Sequence, residues 1–168
     1  MRTARAKELV VATVSAFLAV GLSPFGYRSP MKITHHGLEI ILSDDWWAAA
    51  EMMGFVPTSN AYRPDPVHFP GRQVYLVAMQ DIGPVMRGPG VAIFNGNDEA
   101  SARERVVRIL RSLRSGDAIP PVEVVEGRPG YQYPYKLVHG THRFYCTLAA
   151  GYTHVPAVEG FDISTLDQ

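Results

Sequence analysis

The sequence predicts an α/β fold, α+β in detail, and three stretches carry that expectation. Residues 103–114 place Val106, Val107, Ile109, Leu110 and Leu113 at helical spacing, so they share one apolar face. Residues 122–125 (Val-Glu-Val-Val) and 155–158 (Val-Pro-Ala-Val) are short runs rich in β-branched residues, the composition of strands. Between them Tyr135-Lys136-Leu137-Val138-His139 reads as a strand that turns through Gly140 directly into a helix beginning at Thr141. Glycine adopts backbone conformations closed to residues with a Cβ, so the chain can reverse sharply there.

The elements follow in chain order. Arg2, Arg5 and Lys7 precede an apolar run from Leu9 to Leu22, interrupted only by Thr13, Ser15 and Gly21. The run is shorter than the roughly 20 residues of a membrane-spanning helix, and no small-residue cleavage site precedes Ser29-Pro30. Three readings stand: a true start further on, at Met31; a weak signal or anchor; or an N-terminal helix packed on the domain. The first and third lead, and with them a cytoplasmic protein. Residues 1–30 are therefore set apart as an extension, and residues 31–168 as the domain.

Ile33, Leu38, Ile40 and Leu42 predict one or two short strands around His36-Gly37. Ser43 is placed to cap a helix with Asp44 and Asp45 in its first turn, and Gly54 to end it. Trp46 and Trp47 lie about 100° apart on that helix, so they cannot face one core equally: both are expected to be packing residues, with the alternative that one is in the core and the other at a pocket rim or on an adjacent element. Residues 56–72 carry Pro57, Pro64, Pro66, Pro70 and Gly71 and form a long loop, a kind that often bears function. Gln73–Asp81 is expected to be a central strand. Val91–Phe94 follows as a short strand between glycine-rich turns. The helix before Gly116 starts at Asn97 or Asp98. Its polar side holds Arg103, Arg105, Arg108, Arg111 and Arg114, and with Glu99 and Glu104 among them a solvated face is expected rather than a basic patch.

A chain of 168 residues with 46% hydrophobic content can bury a core of its own. Its net charge of +0 steers nothing toward polyanions, so a nucleic-acid partner would need a local patch and DNA is not expected. The one cysteine, Cys146, excludes an internal disulfide and fits a reducing compartment. It is expected to be a small buried hydrophobe.

The Gly140 turn concentrates the chemistry. The first amides of a helix have no partner within it, and the helix dipole adds partial positive charge. Arg143 in that first turn adds a forked cation, and together these favour a bound phosphate. Arg143→Ala is expected to weaken that binding with little loss of stability. Thr141 is expected to cap the helix, with a phosphate contact as the other reading. His142 can hydrogen-bond a phosphate or move a proton. With His139 it makes a pair that lacks a third metal ligand, so no metal is expected. The alternative is a glycine turn before a helix whose arginine is merely solvated.

The run from residue 103 to 158 is helix, Pro-Pro strand, strand, Gly-Thr-His-Arg, helix, Gly-Tyr-Thr-His and Val-Pro strand. This order resembles the ParB/sulfiredoxin-like superfamily, in which such a glycine turn belongs to a nucleotide-phosphate loop. The resemblance extends back to Val74–Pro84, and residues 1–70 have no counterpart in it. It implies a single domain with a mixed sheet and flanking helices, the N-terminal part being an elaboration. Sulfiredoxins carry a catalytic cysteine where Thr141 stands, which argues against sulfinic-acid reduction here. The DNA-reading half of the ParB proteins has no counterpart after Val158. Free-serine kinases have a similar Gly-His-His-Arg turn and an acidic base, for which Asp81 or Glu123 are the candidates.

The resemblance also makes Arg87 a second phosphate contact. It thus implies a nucleoside triphosphate, ATP or CTP, with or without Mg2+. The phosphate loop would hold it on Gly140, Thr141, His142 and Arg143, with Arg87 as a further contact, Asp81 and His142 as catalytic groups and an unknown small molecule or protein as acceptor. Phosphoryl transfer or nucleotide hydrolysis is the leading reading. A non-catalytic nucleotide-sensing or protein-interaction module is the alternative, and a ParB-like nuclease ranks third.

Overall fold

The computed structural model describes residues 31–85, 93–94 and 99–160. Residues 1–30, Arg87, Val91, the helix start at Asn97 or Asp98, and residues 161–168 lie outside them. The architecture is mixed α+β, with two sheets and three α-helices among the described residues.

Strands β1 (Met31–His35) and β2 (Leu38–Leu42) pair as an antiparallel hairpin. His36 and Gly37 form its two-residue turn with φ of 49° and 79°, the left-handed pair that matches the twist of hairpin strands. Helix α1 (Asp44–Ala49) starts after Ser43, which is extended but makes no side-chain cap. It ends five residues before Gly54, and Glu51 (φ 56°) rather than glycine takes the first left-handed position. Trp46 sets its ring against Phe94, with centroids 6.4 Å apart. Trp47 lines a groove with Phe55 and Pro57. Both indoles pack on the core and both are half-buried.

The second sheet runs β3 (Tyr75–Ala78), β6 (His154–Glu159), β4 (Val122–Glu126), β5 (Tyr135–His139). β6 is antiparallel to β3 and parallel to β4, and β4 is antiparallel to β5. The expectation that 73–81 forms a central strand is corrected: β3 is an edge strand of four residues, and Tyr75 and Leu76 are exposed. The centre belongs to β6, where Val155 to Val158 are all buried. Pro156 is tolerated there because the two ladders are staggered. β3 pairs with residues 154–157 and β4 with residues 157–159, so Pro156 faces a partner strand on one side only. After β3 a single 3-10 turn (Met79–Asp81) brings Ile82 to bridge Tyr135, so the two edges of the sheet meet at one end.

Helix α2 (Glu99–Ser115) buries Ala102, Val106, Val107, Leu110 and Leu113 and stops at Gly116 (φ 71°). It packs on α1 and on helix α3 (Thr141–Ala149). Phe144, Tyr145, Cys146 and Thr147 are fully buried, so α3 is enclosed for a whole turn. Thr147 Oγ1 donates to the Arg143 carbonyl at 2.7 Å, which satisfies its hydroxyl inside the apolar layer. Fully burying a side chain such as Phe144 contributes about 1.5–3 kcal/mol. Among the described residues no helix is long and apolar enough to cross a membrane.

Candidate functional site

The β5–α3 junction is built as the sequence demands. Gly140 takes φ 95° and ψ 25° and is itself the N-cap of α3. Thr141 is therefore the first helical residue rather than the cap, and Gly140 has no side chain with which to cap this end. The helix's own hydrogen bonding begins with Phe144 N to the Gly140 carbonyl at 2.9 Å. A side chain at 140 is excluded on steric grounds too, because a Cβ would lie 2.9 Å from Val122 Cγ1.

This helix end opens into a cleft of about 880 Å3. Among the described residues its walls carry three arginines (Arg105, Arg108, Arg143), three histidines (His68, His139, His142) and one carboxylate, Asp65. Arg105 and Arg108 belong to α2, whose polar side was expected to be solvated. The structure divides that side by function. Arg105 and Arg108 line the cleft, Arg111 bonds the Ala49 carbonyl, and Arg114 pairs with Glu51.

Arg143 does not simply face the cleft. Its Nη1 donates to the Pro120 carbonyl at 2.9 Å and the Pro121 carbonyl at 2.8 Å. Burial lowers the pKa of the guanidinium, and Tyr62 and Glu123 oppose that shift. The Tyr62 hydroxyl donates to the same Pro120 carbonyl at 2.9 Å, and burial pushes its pKa well up. Arg143 thus holds the chain entering β4 against the helix end while its charge stays at the cleft wall.

The long proline-rich loop forms the facing wall. Asp65 Oδ1 accepts from Val67 N at 3.0 Å, and Oδ2 accepts from His68 Nδ1 at 3.1 Å. Phe69 lines the same cleft, with the Arg72 guanidinium 5.1 Å from its ring centroid. Neither Asp65 nor His68 stood out individually in the sequence. The signal available was the loop's length, together with an aspartate and a histidine three residues apart.

The remaining candidates are dispersed. Asp81 is half-buried in the 3-10 turn beside Ile82, which bridges Tyr135 at the start of β5. Gly140 lies five residues further along, about 16 Å at ~3.3 Å per strand residue. The structure therefore does not bring Asp81 to the Gly140 turn. Glu123 is closer, paired across the ladder with His139 and 3.6 Å from Arg72 Nη1. Arg87 lies outside the described residues. Cys146 is fully buried and its thiol is pushed far up by that burial, so it serves as packing. Among the described residues no cluster of His, Cys, Asp or Glu has the makings of a metal site.

Comparison with models of protein families, with curated proteins and with solved structures finds no match for this chain.

Proposed function

We propose that the cleft at the β5–α3 junction binds the phosphates of a nucleoside triphosphate, ATP or CTP, and that the protein transfers or hydrolyses its terminal phosphoryl group. The observation that carries this reading is the charge of the cleft. A chain with no net charge gathers, among the described residues, three arginines and three histidines around a helix N-terminus that starts at a glycine, and the one carboxylate among them is already bonded to His68 and Val67 N. Such a wall suits a polyanion. The cleft is also within the size range of small-ligand sites. Phe69 offers an aromatic ring for a base. The resemblance of residues 103–158 to the ParB/sulfiredoxin-like superfamily supports the same reading, because helix, Pro-Pro strand, strand, glycine turn, helix and Val-Pro strand follow one another here in that order.

Phosphoryl transfer asks a protein mainly for positioning and charge stabilisation. In this reading the α3 amides and Arg143 receive the phosphates from one side. Arg105 and Arg108 neutralise them from the other. Mg2+, if used, would arrive with the phosphates.

The test is calorimetric titration of the full chain with MgATP and MgCTP. Arg105→Ala and Arg108→Ala should each weaken binding by about 1.5–3 kcal/mol, the scale of a hydrogen bond to a charged group, or about 10–150-fold. Arg103→Ala, on the opposite side of α2, should bind as the parent does. Equal affinity in all four proteins, or no binding by the parent, would overturn the reading.

A further inference from the structure

We propose that His68, held in register by Asp65, is the acid–base group of this cleft; the proposal rests on the nucleotide reading above. The Asp65 carboxylate can only accept, so the hydrogen in the 3.1 Å contact sits on His68 Nδ1. That fixes the neutral tautomer and leaves Nε2 as the basic nitrogen. The imidazole side chain is 58% exposed and the carboxylate 24%, so the ring is open to a ligand while its partner is largely covered.

A histidine–aspartate contact three residues apart in a loop is common as surface structure. Here its backbone is clamped to the anion-binding side of the cleft. Pro64 bridges Ile119, Asp65 N donates to the Ile119 carbonyl at 2.9 Å, and Ile119 N donates to the Arg63 carbonyl at 3.0 Å. The next two carbonyls, of Pro120 and Pro121, are the ones that Arg143 grips. A continuous hydrogen-bonded path therefore runs from the first turn of α3 through Arg143 and residues 119–121 to Asp65 and His68. The carboxylate has no rotational freedom left, since its second oxygen is held by Val67 N. Arg105 and Arg108 of α2 and His139, His142 and Arg143 of the β5–α3 turn line the same cleft as the ring. A loop tied at both its main chain and its carboxylate is pre-organised in the way acid–base chemistry needs.

The step is a proton transfer coupled to displacement at phosphorus. His68 Nε2 takes the proton from the O–H of a water or an acceptor hydroxyl as that oxygen bonds to the terminal phosphorus. The bond from phosphorus to the bridging oxygen breaks, and the nucleoside diphosphate leaves with that electron pair. Asp65 stays ionised and steadies the imidazolium, so it is a positioning residue.

The experiment measures phosphate release and calorimetric binding for the full chain with MgATP and MgCTP. His68→Gln should lower kcat by about 10²–10⁴-fold, the usual contribution of a general base, and leave nucleotide affinity unchanged. Asp65→Asn keeps the acceptor for Val67 N but cannot accept from Nδ1. It should lower kcat without changing affinity. Turnover by His68→Gln equal to that of the parent would overturn the assignment. So would a parent that binds nucleotide but turns over neither, a result that leaves the binding reading standing. A parent that binds neither would overturn the binding reading itself, and the dyad with it.

Discussion

At Gly140 the backbone sits at φ 95°, and a Cβ there would also approach Arg143 Nη2 to 3.1 Å. Gly140→Ala combines a left-handed conformation that alanine resists with a contact against Val122, so it should cost about 1–3 kcal/mol in urea unfolding. Arg143 makes a second prediction at this scale, and it departs from what the sequence implied. Its Nη1 satisfies the Pro120 and Pro121 carbonyls, so Arg143→Ala should lose about 1–3 kcal/mol of stability as well as affinity. The Tyr62 hydroxyl still reaches Pro120 in that variant, which leaves the Pro121 carbonyl as the group that loses its donor. Arg143→Lys keeps the charge, but its Nζ ends one bond short of the position of Nη1, the nitrogen that makes both contacts, so it should recover affinity more than stability. Unfolding curves and titrations on the same preparations separate the two effects, and unchanged unfolding in Arg143→Ala would sink this account. The glycine was legible in the sequence because its conformation is local. The arginine's carbonyl partners were not, because nothing in residues 120–121 marks which cation will close on them.

Between elements, the C-terminal end of α1 is held from α2. Arg111 donates to the Ala49 carbonyl through Nε at 3.2 Å and Nη2 at 2.8 Å. Arg114 bonds the Glu51 carbonyl and lies 3.1 Å from its carboxylate. These contacts explain why so short a helix, ending on a left-handed glutamate, keeps its place: orphan carbonyls at a helix end gain charged donors. Arg111→Ala should cost about 1 kcal/mol, and Arg103→Ala nothing measurable; equal losses in thermal unfolding would contradict the division of labour along α2. The helix itself was legible, since Val106, Val107, Leu110 and Leu113 repeat at its own period. Its polar side was not, because five arginines read alike until packing separates them into cleft, cap and solvent. Strand order was hidden for a similar reason. Tyr75–Ala78 and Val155–Val158 are equally apolar, and which of them lies at the centre depends on pairing between residues distant in sequence. Asp65 and His68 join the cleft through the Ile119 bridge, another long-range contact.

Across the whole molecule, His35 joins the N-terminal hairpin to the rest. It is 5% exposed at the end of β1. Its Nε2 donates to the Met79 carbonyl at 3.1 Å, and its ring meets Phe144 and Tyr145 edge-on at 5.1 and 5.9 Å. Burial holds its pKa below the ordinary value of 6.5; His36 adds to that shift and the Met79 carbonyl opposes it. The unfolded chain therefore takes up a proton near pH 6.5 that the folded chain still refuses. Below that point the unfolded state binds more protons, so the contribution of His35 is fully present above it and is lost as the pH falls toward the folded pKa. Unfolding free energy should decline as the pH is lowered from about 7 to 5. His35→Gln keeps an N–H for the Met79 carbonyl but cannot take a charge, so its decline should be shallower. If parent and His35→Gln lose stability at the same rate over this range, the acid sensitivity lies elsewhere and burial does not hold the His35 pKa below its ordinary value.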